Sequence, residues 1–334
     1  MSFSNPSILS ARNLCKTFKV RGGFGEKTKL VHAVSDVSFE VPAGSTVGIV
    51  GESGCGKSTT ARLLMHLINS DSGTILFDGE TVGQGKTALK EFRRKVQMVF
   101  QDSSASLNPR LTISQSIAYG PTVHGIAAAD ALRRADSLLE RVGLDPKRFA
   151  GRYPNELSGG QRQRVNIARA LALEPKVVIL DEAVSALDKS VEAQVLNLLN
   201  EIKADFGLSL VFISHDLNVV RYISDEVIVM YLGQVIEQGP VEQIYANPRH
   251  PYTRALVASM PTTDPDNRTL VPPISGDPPS PIDLPKGCRF APRCRHAEPA
   301  CLEQSPPMFR IENHRVACLL ANPDSGHSLA EKVQ

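Results

Sequence analysis

Short apolar segments alternate with amphipathic helical patterns along the first 245 residues of the chain. Residues 45–51, 176–181 and 210–215 are apolar on both faces and rich in β-branched side chains, as strands buried inside a parallel sheet are. Residues 161–173 and 189–202 carry apolar side chains at helical spacing. This alternation predicts an α/β fold in which right-handed crossovers connect parallel strands.

The composition of the chain changes near residue 246. Fifteen of the 23 prolines and four of the six cysteines fall in residues 246–334. Proline can neither donate a hydrogen bond to a ladder nor continue a helix, so we expect this part to consist mainly of turns and loops. The sequence therefore predicts two domains, residues 1–245 and a Pro/Cys-rich C-terminal extension, residues 246–334. Within the first domain, the polar, alternating segment 7–41 is typical of an added antiparallel β layer.

The overall composition is that of a soluble globular protein. The 334 residues allow about two domains at roughly 100–200 residues each, and 42% are apolar and 22% charged. The net charge of +2 does not show the excess of basic residues that nucleic-acid-binding proteins have. No apolar run reaches the ~18–20 residues of a membrane span, the first residues do not form a secretory signal, and six cysteines are too few for a disulfide scaffold. We expect a cytoplasmic protein that does not bind nucleic acid.

Residues 51–58, GESGCGKS, match the phosphate-binding loop G-x-x-x-x-G-K-[ST] between a strand and a helical pattern. Its glycines let successive N–H groups face a bound anion, and the following helix adds its positive end. Lys57 is expected to reach the β- and γ-phosphates of ATP, and the Ser58 hydroxyl to bind Mg²⁺. The candidate ATP-binding residues here are Gly51, Ser53, Gly54, Cys55, Gly56, Lys57, Ser58 and Thr59.

Cys55 allows two interpretations. A thiol near a helix N-terminus can have a lowered pKa and react readily. Alternatively, Cys55 is a small spacer whose backbone N–H is the useful group.

Two acidic residues end the predicted strand 176–181. Asp181 lies where a carboxylate would orient Mg²⁺, and Glu182 follows at the tip, where it can act as the general base for an attacking water. His215 ends another predicted strand and is a candidate for a hydrogen bond to the γ-phosphate. The amide oxygen of Gln101 is a further candidate ligand of the metal.

Residues 157–164, LSGGQRQR, place Ser and two glycines at the start of a predicted helix, which makes a second anion site. Together with the phosphate loop, this segment resembles the signature of the ATP-binding cassette (ABC) ATPases. The resemblance covers about residues 7–245 and implies a P-loop NTPase (RecA-like) core with a helical subdomain at about 102–165. It also implies a head-to-tail pair of cassettes, in which Ser158, Gly159, Gly160 and Gln161 of one close on the ATP held by the other.

The same resemblance implies further roles. Phe18 is similar to the aromatic residue on which adenine stacks, although a core phenylalanine is the other interpretation. Gln101 resembles the glutamine that contacts both Mg²⁺ and the membrane partner, residues 185–188 the loop at the dimer seam, and His215 the switch histidine. The family usually has proline after the catalytic glutamate, where this chain has Ala183.

Residues 247–256, NPRHPYTRAL, resemble the element that follows the cassette in dipeptide, oligopeptide and nickel-type importer ATPases. Such ATPases work with a second cassette, two permease subunits and an extracytoplasmic substrate-binding protein. The resemblance implies a peripheral protein on the cytoplasmic face of the inner membrane that powers import of a small solute. It does not name the solute or say whether the second cassette is identical.

The last four cysteines, Cys288, Cys294, Cys301 and Cys318, are spaced C-x₅-C-x₆-C-x₁₆-C. Both a Cys₄ zinc site and a [4Fe–4S] cluster fit four thiols, but there are no C-x₂-C pairs as in a zinc ribbon. Importer ATPases with a similar extension carry a [4Fe–4S] cluster, so the resemblance favours that group. Zinc, unliganded thiols and disulfides remain the other interpretations.

Other functions also fit a cassette. A soluble ABC-type ATPase that acts on nucleic acid or ribosomes usually has a coiled-coil insertion or two fused cassettes, which this sequence lacks. An exporter ATPase is disfavoured by residues 247–256. A redox or metal sensor in the extension that gates the ATPase is a third interpretation.

Overall fold

The computed structural model describes residues 6–20, 28–83, 88–103, 105–261, 274 and 276–330. The strands are β1 (Ser7–Val20), β2 (Lys29–Pro42), β3 (Thr46–Val50), β4 (Ser72–Phe77), β5 (Glu80–Thr81), β6 (Val96–Val99), β7 (Val177–Asp181), β8 (Ser209–Ile213), β9 (Glu226–Tyr231), β10 (Gln234–Pro240), β11 (Phe309–Ile311) and β12 (His314–Val316). The helices are α1 (Lys57–Leu64), α2 (Leu89–Lys95), α3 (Ile113–Val123), α4 (Ala128–Arg141), α5 (Pro146–Phe149), α6 (Gly159–Leu171), α7 (Lys189–Phe206), α8 (Leu217–Ile223), α9 (Val241–Ala246), α10 (Pro251–Ala258) and α11 (Pro299–Glu303).

The chain forms two compact units. The first comprises Met1–Ser10, Glu40–Thr46 and Ile75–Ser214, and the second comprises Ala11–Phe39, Val47–Thr74 and His215–Gln334. The C-terminal extension therefore belongs to the same unit as the phosphate loop.

The first unit contains three neighbouring parallel strands. β7 pairs with β6 on one side and with β8 on the other. Every residue of β7 and β8 is buried, as the apolar runs in the sequence predict. Helix α7 connects β7 to β8 and ends at Gly207, which adopts a left-handed conformation (φ 60°) that glycine accommodates readily. The predicted strand–helix alternation is confirmed here.

Helices α3 to α6 follow one another in the same unit. Thr112 caps α3 and Gln115 completes the capping box. Helix α4 buries one face, formed by Ala131, Ala135, Leu138 and Leu139, so its apolar stripe follows helical spacing.

In the second unit, β3 runs parallel to β9, and β10 then pairs antiparallel with β9. The extension adds the hairpin β11–β12, whose strand β12 pairs antiparallel with β10. Glu237 of β10 is fully buried. Its carboxylate accepts hydrogen bonds from the backbone N–H groups of Arg249 (2.5 Å) and His250 (3.1 Å), and its Oε1 lies 2.7 Å from Nε2 of His314. Hydrogen bonds to this one buried carboxylate thus connect two segments of the extension to strand β10.

Candidate nucleotide-binding site

The phosphate loop leads directly from β3 into α1, because two of its glycines allow the chain to turn in contact with other backbone. Gly56 has a φ of 106°, and a Cβ there would lie 2.3 Å from the carbonyl oxygen of Ala33. A Cβ on Gly51 would lie 2.2 Å from the carbonyl oxygen of Met230. Any side chain at either position would collide with backbone. The loop therefore requires glycine at both positions.

Lys57 begins α1 and is buried. Its Nζ donates hydrogen bonds to the carbonyl oxygens of Gly51 (2.7 Å) and Glu52 (3.0 Å). Ser58 and Thr59 occupy the first turn of the helix. The ammonium group and the helix N-terminus together give this loop the positive potential that a phosphate needs.

Cys55 is buried within the loop. Burial raises the pKa of its thiol, and the nearby Lys57 only partly opposes that effect. Its carbonyl oxygen accepts a 2.8 Å hydrogen bond from the N–H of Gly233. These features support a packed spacer rather than a reactive thiolate.

The two predicted acids end β7 in the first unit. Asp181 is the last residue of the strand and is buried. Glu182 has a left-handed backbone (φ 48°), and its N–H donates a 2.9 Å hydrogen bond to the carbonyl oxygen of Ile213. A positive φ at a residue other than glycine is strained and is often found at functional sites. Ala183, in the place of the usual proline, is buried.

Gln101 and Glu182 are brought into contact. Nε2 of Gln101 donates a 2.7 Å hydrogen bond to Oε2 of Glu182. With the amide nitrogen used in this hydrogen bond, Oε1 is the Gln101 atom whose chemistry suits a metal ion.

The predicted signature residues lie at the start of α6 in the same unit. The hydroxyl of Ser158 accepts a 3.3 Å hydrogen bond from the N–H of Gln161, and Oε1 of Gln161 accepts one of 3.0 Å from the N–H of Ser158. This is a capping box. A Cβ on Gly160 would lie 2.5 Å from Cγ1 of Val191, so this glycine is needed for packing against α7.

Two further predicted residues lie in the second unit, which also contains the phosphate loop. His215 lies between β8 and α8, directly before Asp216, whose carboxylate caps α8. Phe18 lies on β1 with 39% of its surface exposed, and Nζ of Lys16 is 5.6 Å from the ring centroid. An exposed aromatic ring is available for stacking, which a core phenylalanine is not.

Comparison with known proteins identifies the family. Residues 34–185 match the ABC transporter family, and residues 236–301 match the oligopeptide/dipeptide transporter C-terminal region. The chain is 48% identical to a probable peptide ABC transporter ATP-binding protein of Sinorhizobium fredii, over 95% of this chain and 91% of the relative. The chain belongs to the ABC transporter family.

Further relatives agree with this assignment. This ABC transporter protein is 45% identical to the oligopeptide transport ATP-binding protein OppF of Haemophilus influenzae, over 93% of this chain and 96% of the relative. It is also similar to a dimeric structure of the ATP-binding cassette MJ0796 bound to ADP and Pi, with a TM-score of 0.61, 30% identity, and coverage of 70% of this chain and 98% of that chain. The predicted fold and the predicted ATPase subunit of the oligopeptide/dipeptide importer type are confirmed. Among the described residues, no helix is both long and apolar enough to cross a membrane.

The extension of this ABC ATPase contacts the phosphate loop at Glu52, a position that the loop motif leaves unspecified. Nη1 of Arg293 donates to both carboxylate oxygens of Glu52, at 2.9 and 3.2 Å, and to the hydroxyl of Tyr231 at 3.3 Å. The hydroxyl of Tyr252 accepts a 2.9 Å hydrogen bond from the N–H of Glu52. The Tyr252 ring packs against Tyr231 and Phe290, with centroids 4.7 and 5.4 Å apart.

The four cysteines of the extension line one cavity, and all are free thiols. Burial raises the pKa of Cys288, Cys294 and Cys318, in the last case to about 12. Backbone N–H groups oppose this effect, at Cys318 those of Leu320 and Ala321.

His250 lines the same cavity and is 1% exposed. Its Nδ1 accepts a 3.0 Å hydrogen bond from the N–H of Tyr252, so the ring proton lies on Nε2. Within the described part of the chain, Nε2 has no hydrogen-bond partner. Burial lowers the pKa of this histidine to about 4. The side chain is therefore a neutral, buried N–H donor whose donor atom is unsatisfied.

The predicted metal centre is not confirmed. Where the chain is described, no group of three or more His, Cys, Asp or Glu side chains is arranged to hold a metal ion.

Proposed function

We propose that this ABC ATPase powers the import of di- or oligopeptides through two separate permease subunits and an extracytoplasmic substrate-binding protein. Its relatives in S. fredii and H. influenzae are named for peptide and oligopeptide transport, which supports the cargo. We place the protein on the cytoplasmic face of the inner membrane, bound to the permeases. Residues 1–245 are the cassette, and residues 246–334 are the importer-type extension.

We propose a role in ATP binding or hydrolysis for each of these side chains. Lys57 binds the β- and γ-phosphates, and Ser58, Gln101 and Asp181 hold Mg²⁺, which supplies charge neutralisation to the phosphates when bound. The hydroxyl, amide and carboxylate oxygens of these residues are ligands that Mg²⁺ prefers. Glu182 takes the proton of the attacking water, and Gln101 orients its carboxylate through the 2.7 Å hydrogen bond.

Two further residues complete the site. His215 donates to the γ-phosphate, and Phe18 stacks on adenine. The position of His215 at the carboxyl end of β8 supports the first role. The exposure of the Phe18 ring supports the second.

The observation that carries the proposal is that this chain has two helix N-termini suited to phosphate, at Lys57 of α1 and at Gly159 of α6. In a head-to-tail pair, residues 158–161 of one cassette close on the ATP held by the phosphate loop of the other. The partner cassette is a second copy or a paralogue. Closure of the pair, followed by hydrolysis and reopening, does mechanical work on the permeases.

The test uses two variants, with kcat measured in the assembled transporter and pairing measured on the isolated ATPase subunits. Glu182→Gln is expected to lower kcat by about 10²–10⁴-fold while it traps an ATP-bound pair, measured by light scattering after gel filtration with Mg-ATP. Lys57→Ala is expected to lose ATP binding and remain unpaired. ATP hydrolysis by Lys57→Ala at the parent rate, or no trapped pair with Glu182→Gln, would overturn the proposal. Stimulation of the parent ATPase by a binding protein loaded with tripeptide, and not by the empty protein, tests the cargo.

We also propose that Cys288, Cys294, Cys301 and Cys318 hold a [4Fe–4S] cluster, which supplies folding energy to the extension when bound. Four free thiols on one cavity support this assignment. The unsatisfied N–H of His250 supports it further, because sulfur atoms in the cavity are acceptors for such a donor.

Anaerobic purification tests the cluster. We expect absorbance at about 400 nm and about four iron atoms per chain, and loss of both in Cys288→Ser. A folded parent protein with neither iron nor this absorbance would reject the cluster, and stoichiometric zinc in its place would establish the other metal.

A further inference from the structure

The extension contacts the second residue of the phosphate loop from two directions. Arg293 holds the Glu52 carboxylate through both oxygens, and Tyr252 accepts the Glu52 N–H. The Arg293 side chain is 8% exposed and that of Glu52 26%, so the pair is largely shielded from solvent. Such charge-assisted hydrogen bonds are stronger and more specific than exposed ion pairs.

These contacts act on the segment that would bind phosphate. The carbonyl oxygen of Glu52 accepts from Nζ of Lys57, and the N–H of Cys55 donates 3.2 Å to the same carbonyl. The backbone of Glu52 is thus fixed at its N–H by the extension and at its carbonyl by the loop itself. A loop held in its binding conformation before ATP arrives loses less entropy on binding.

The positive charge of Arg293 also affects the binding of ATP. Glu52 places a carboxylate beside a loop built to bind a polyanion, and an uncompensated carboxylate would repel the triphosphate. The guanidinium of Arg293 lies against this carboxylate and neutralises it. Both effects favour ATP binding, and neither requires Arg293 to touch the nucleotide.

We infer that Arg293 and Tyr252 are positioning residues of the ATP site, through which the C-terminal extension sets the affinity of the phosphate loop for ATP. The inference rests on the proposed ATPase function of this loop. Arg293 is 241 residues from Glu52 in sequence. By this inference, a residue of the C-terminal extension acts on the ATP site through its contact with the phosphate loop.

The experiment measures ATP KM and kcat of the full chain in its transporter complex. Arg293→Gln is expected to raise KM about tenfold, with kcat changed less than about twofold. Tyr252→Phe removes only the hydroxyl acceptor and is expected to raise KM about threefold. Arg295→Gln is the matched control: it changes an exposed arginine two residues away and leaves KM unchanged.

A double variant separates neutralisation of the Glu52 charge from general packing of the Arg293 side chain. Glu52→Gln removes the carboxylate that Arg293 neutralises, so Glu52→Gln/Arg293→Gln is expected to have a lower KM than Arg293→Gln alone. A double variant with KM at or above that of Arg293→Gln rejects the charge effect, and a parent-like KM in Arg293→Gln overturns the inference. The thermal transition of Arg293→Gln shows whether this variant folds. If it does not, Tyr252→Phe is the deciding variant, and a parent-like ATP KM in Tyr252→Phe overturns the inference.

Lys57→Ala is measured in parallel to keep the two proposals apart. Hydrolysis by Lys57→Ala at the parent rate rejects the ATPase assignment of the loop. An inactive Lys57→Ala together with a parent-like Arg293→Gln rejects only the positioning role. The iron content of every variant is also measured, to show whether a change in KM accompanies loss of the proposed cluster. A KM that rises only in variants that have lost iron contradicts direct positioning of the phosphate loop by Arg293 and Tyr252.

Discussion

Nε2 of Gln101 donates a 2.7 Å hydrogen bond to Oε2 of Glu182, although the two residues are 81 positions apart in sequence. The contact joins a proposed metal ligand to the proposed general base. A change in the position of one side chain therefore changes the orientation of the other.

We predict that Gln101→Ala lowers kcat by about tenfold or more, because general-base catalysis depends on the orientation of the carboxylate. The ATP KM should change much less, since Lys57 and the loop remain. Phosphate release at saturating ATP measures the effect. In Gln101→Glu, two carboxylates would lie together and one pKa would rise, so we expect the pH optimum to move upward. A parent-like kcat in Gln101→Ala would show that the contact is dispensable.

Asp71 stabilises β1 just before Phe18, in a manner that depends on pH. Its Oδ1 lies 2.8 Å from Nζ of Lys16, and its Oδ2 accepts a 2.6 Å hydrogen bond from the N–H of Thr17. The hydrogen bond from Lys16 is the main reason that the pKa of Asp71 lies below its ordinary 3.8. Since the folded pKa is lowered, the stabilisation is present above 3.8 and is lost as the pH falls through the folded value.

We therefore predict that Asp71→Asn lowers the melting temperature at pH 7 by only about 2 °C, because the pair is partly exposed. The difference from the parent should shrink as the pH falls below 3.8. Thermal unfolding of both proteins across this range measures it. A gap that stays constant at low pH would contradict the assignment.

Gly160 and Gly159 form a matched pair of adjacent glycines in the signature segment. Gly160→Ala should destabilise the fold by about 1–3 kcal/mol through overpacking against Val191. Gly159→Ala should have little effect, because its nearest neighbour, Cδ2 of Leu187, would be at an ordinary 3.8 Å.

Adding Val191→Ala to Gly160→Ala removes the colliding methyl group and should recover most of the loss. Chemical denaturation of the three variants measures these differences. Equal destabilisation by the two glycine substitutions would contradict the packing argument.

Cys55 should react slowly with alkylating reagents, because burial both hides the thiol and raises its pKa. The partly exposed Cys15 in the same protein is an internal reference. We expect iodoacetamide at neutral pH to modify Cys15 first, as followed by peptide mass spectrometry. Faster modification of Cys55 would favour the reactive-thiol interpretation instead.

Local patterns predicted much of the cassette. The apolar runs correctly predicted the buried strands β3, β7 and β8, because a strand covered on both faces has little room for polar residues. The spacing of Ser158 and Gln161 also carried the signal of a capping box, which the sequence analysis did not use.

Such local patterns do not predict contacts between residues that are distant in sequence. Arg293 lies in a Pro-rich part of the chain without periodicity, so nothing local indicates that its guanidinium meets Glu52. Likewise, Gln101 and Glu182 were each predicted as site residues, but their mutual hydrogen bond depends on the packing of the folded unit. His250 could be noticed in the motif, whereas its unsatisfied Nε2 required knowledge of the cavity.

The carboxylate of Glu237 has a consequence for protein engineering. Its hydrogen-bonding partners come from Arg249, His250 and His314, all beyond residue 245. Truncation at the predicted boundary would remove all three of these partners and also strand β12, which pairs with β10. A cassette cut at residue 245 is therefore expected to be less stable than the full chain, because β10 would lose both a neighbouring strand and the partners of its buried carboxylate.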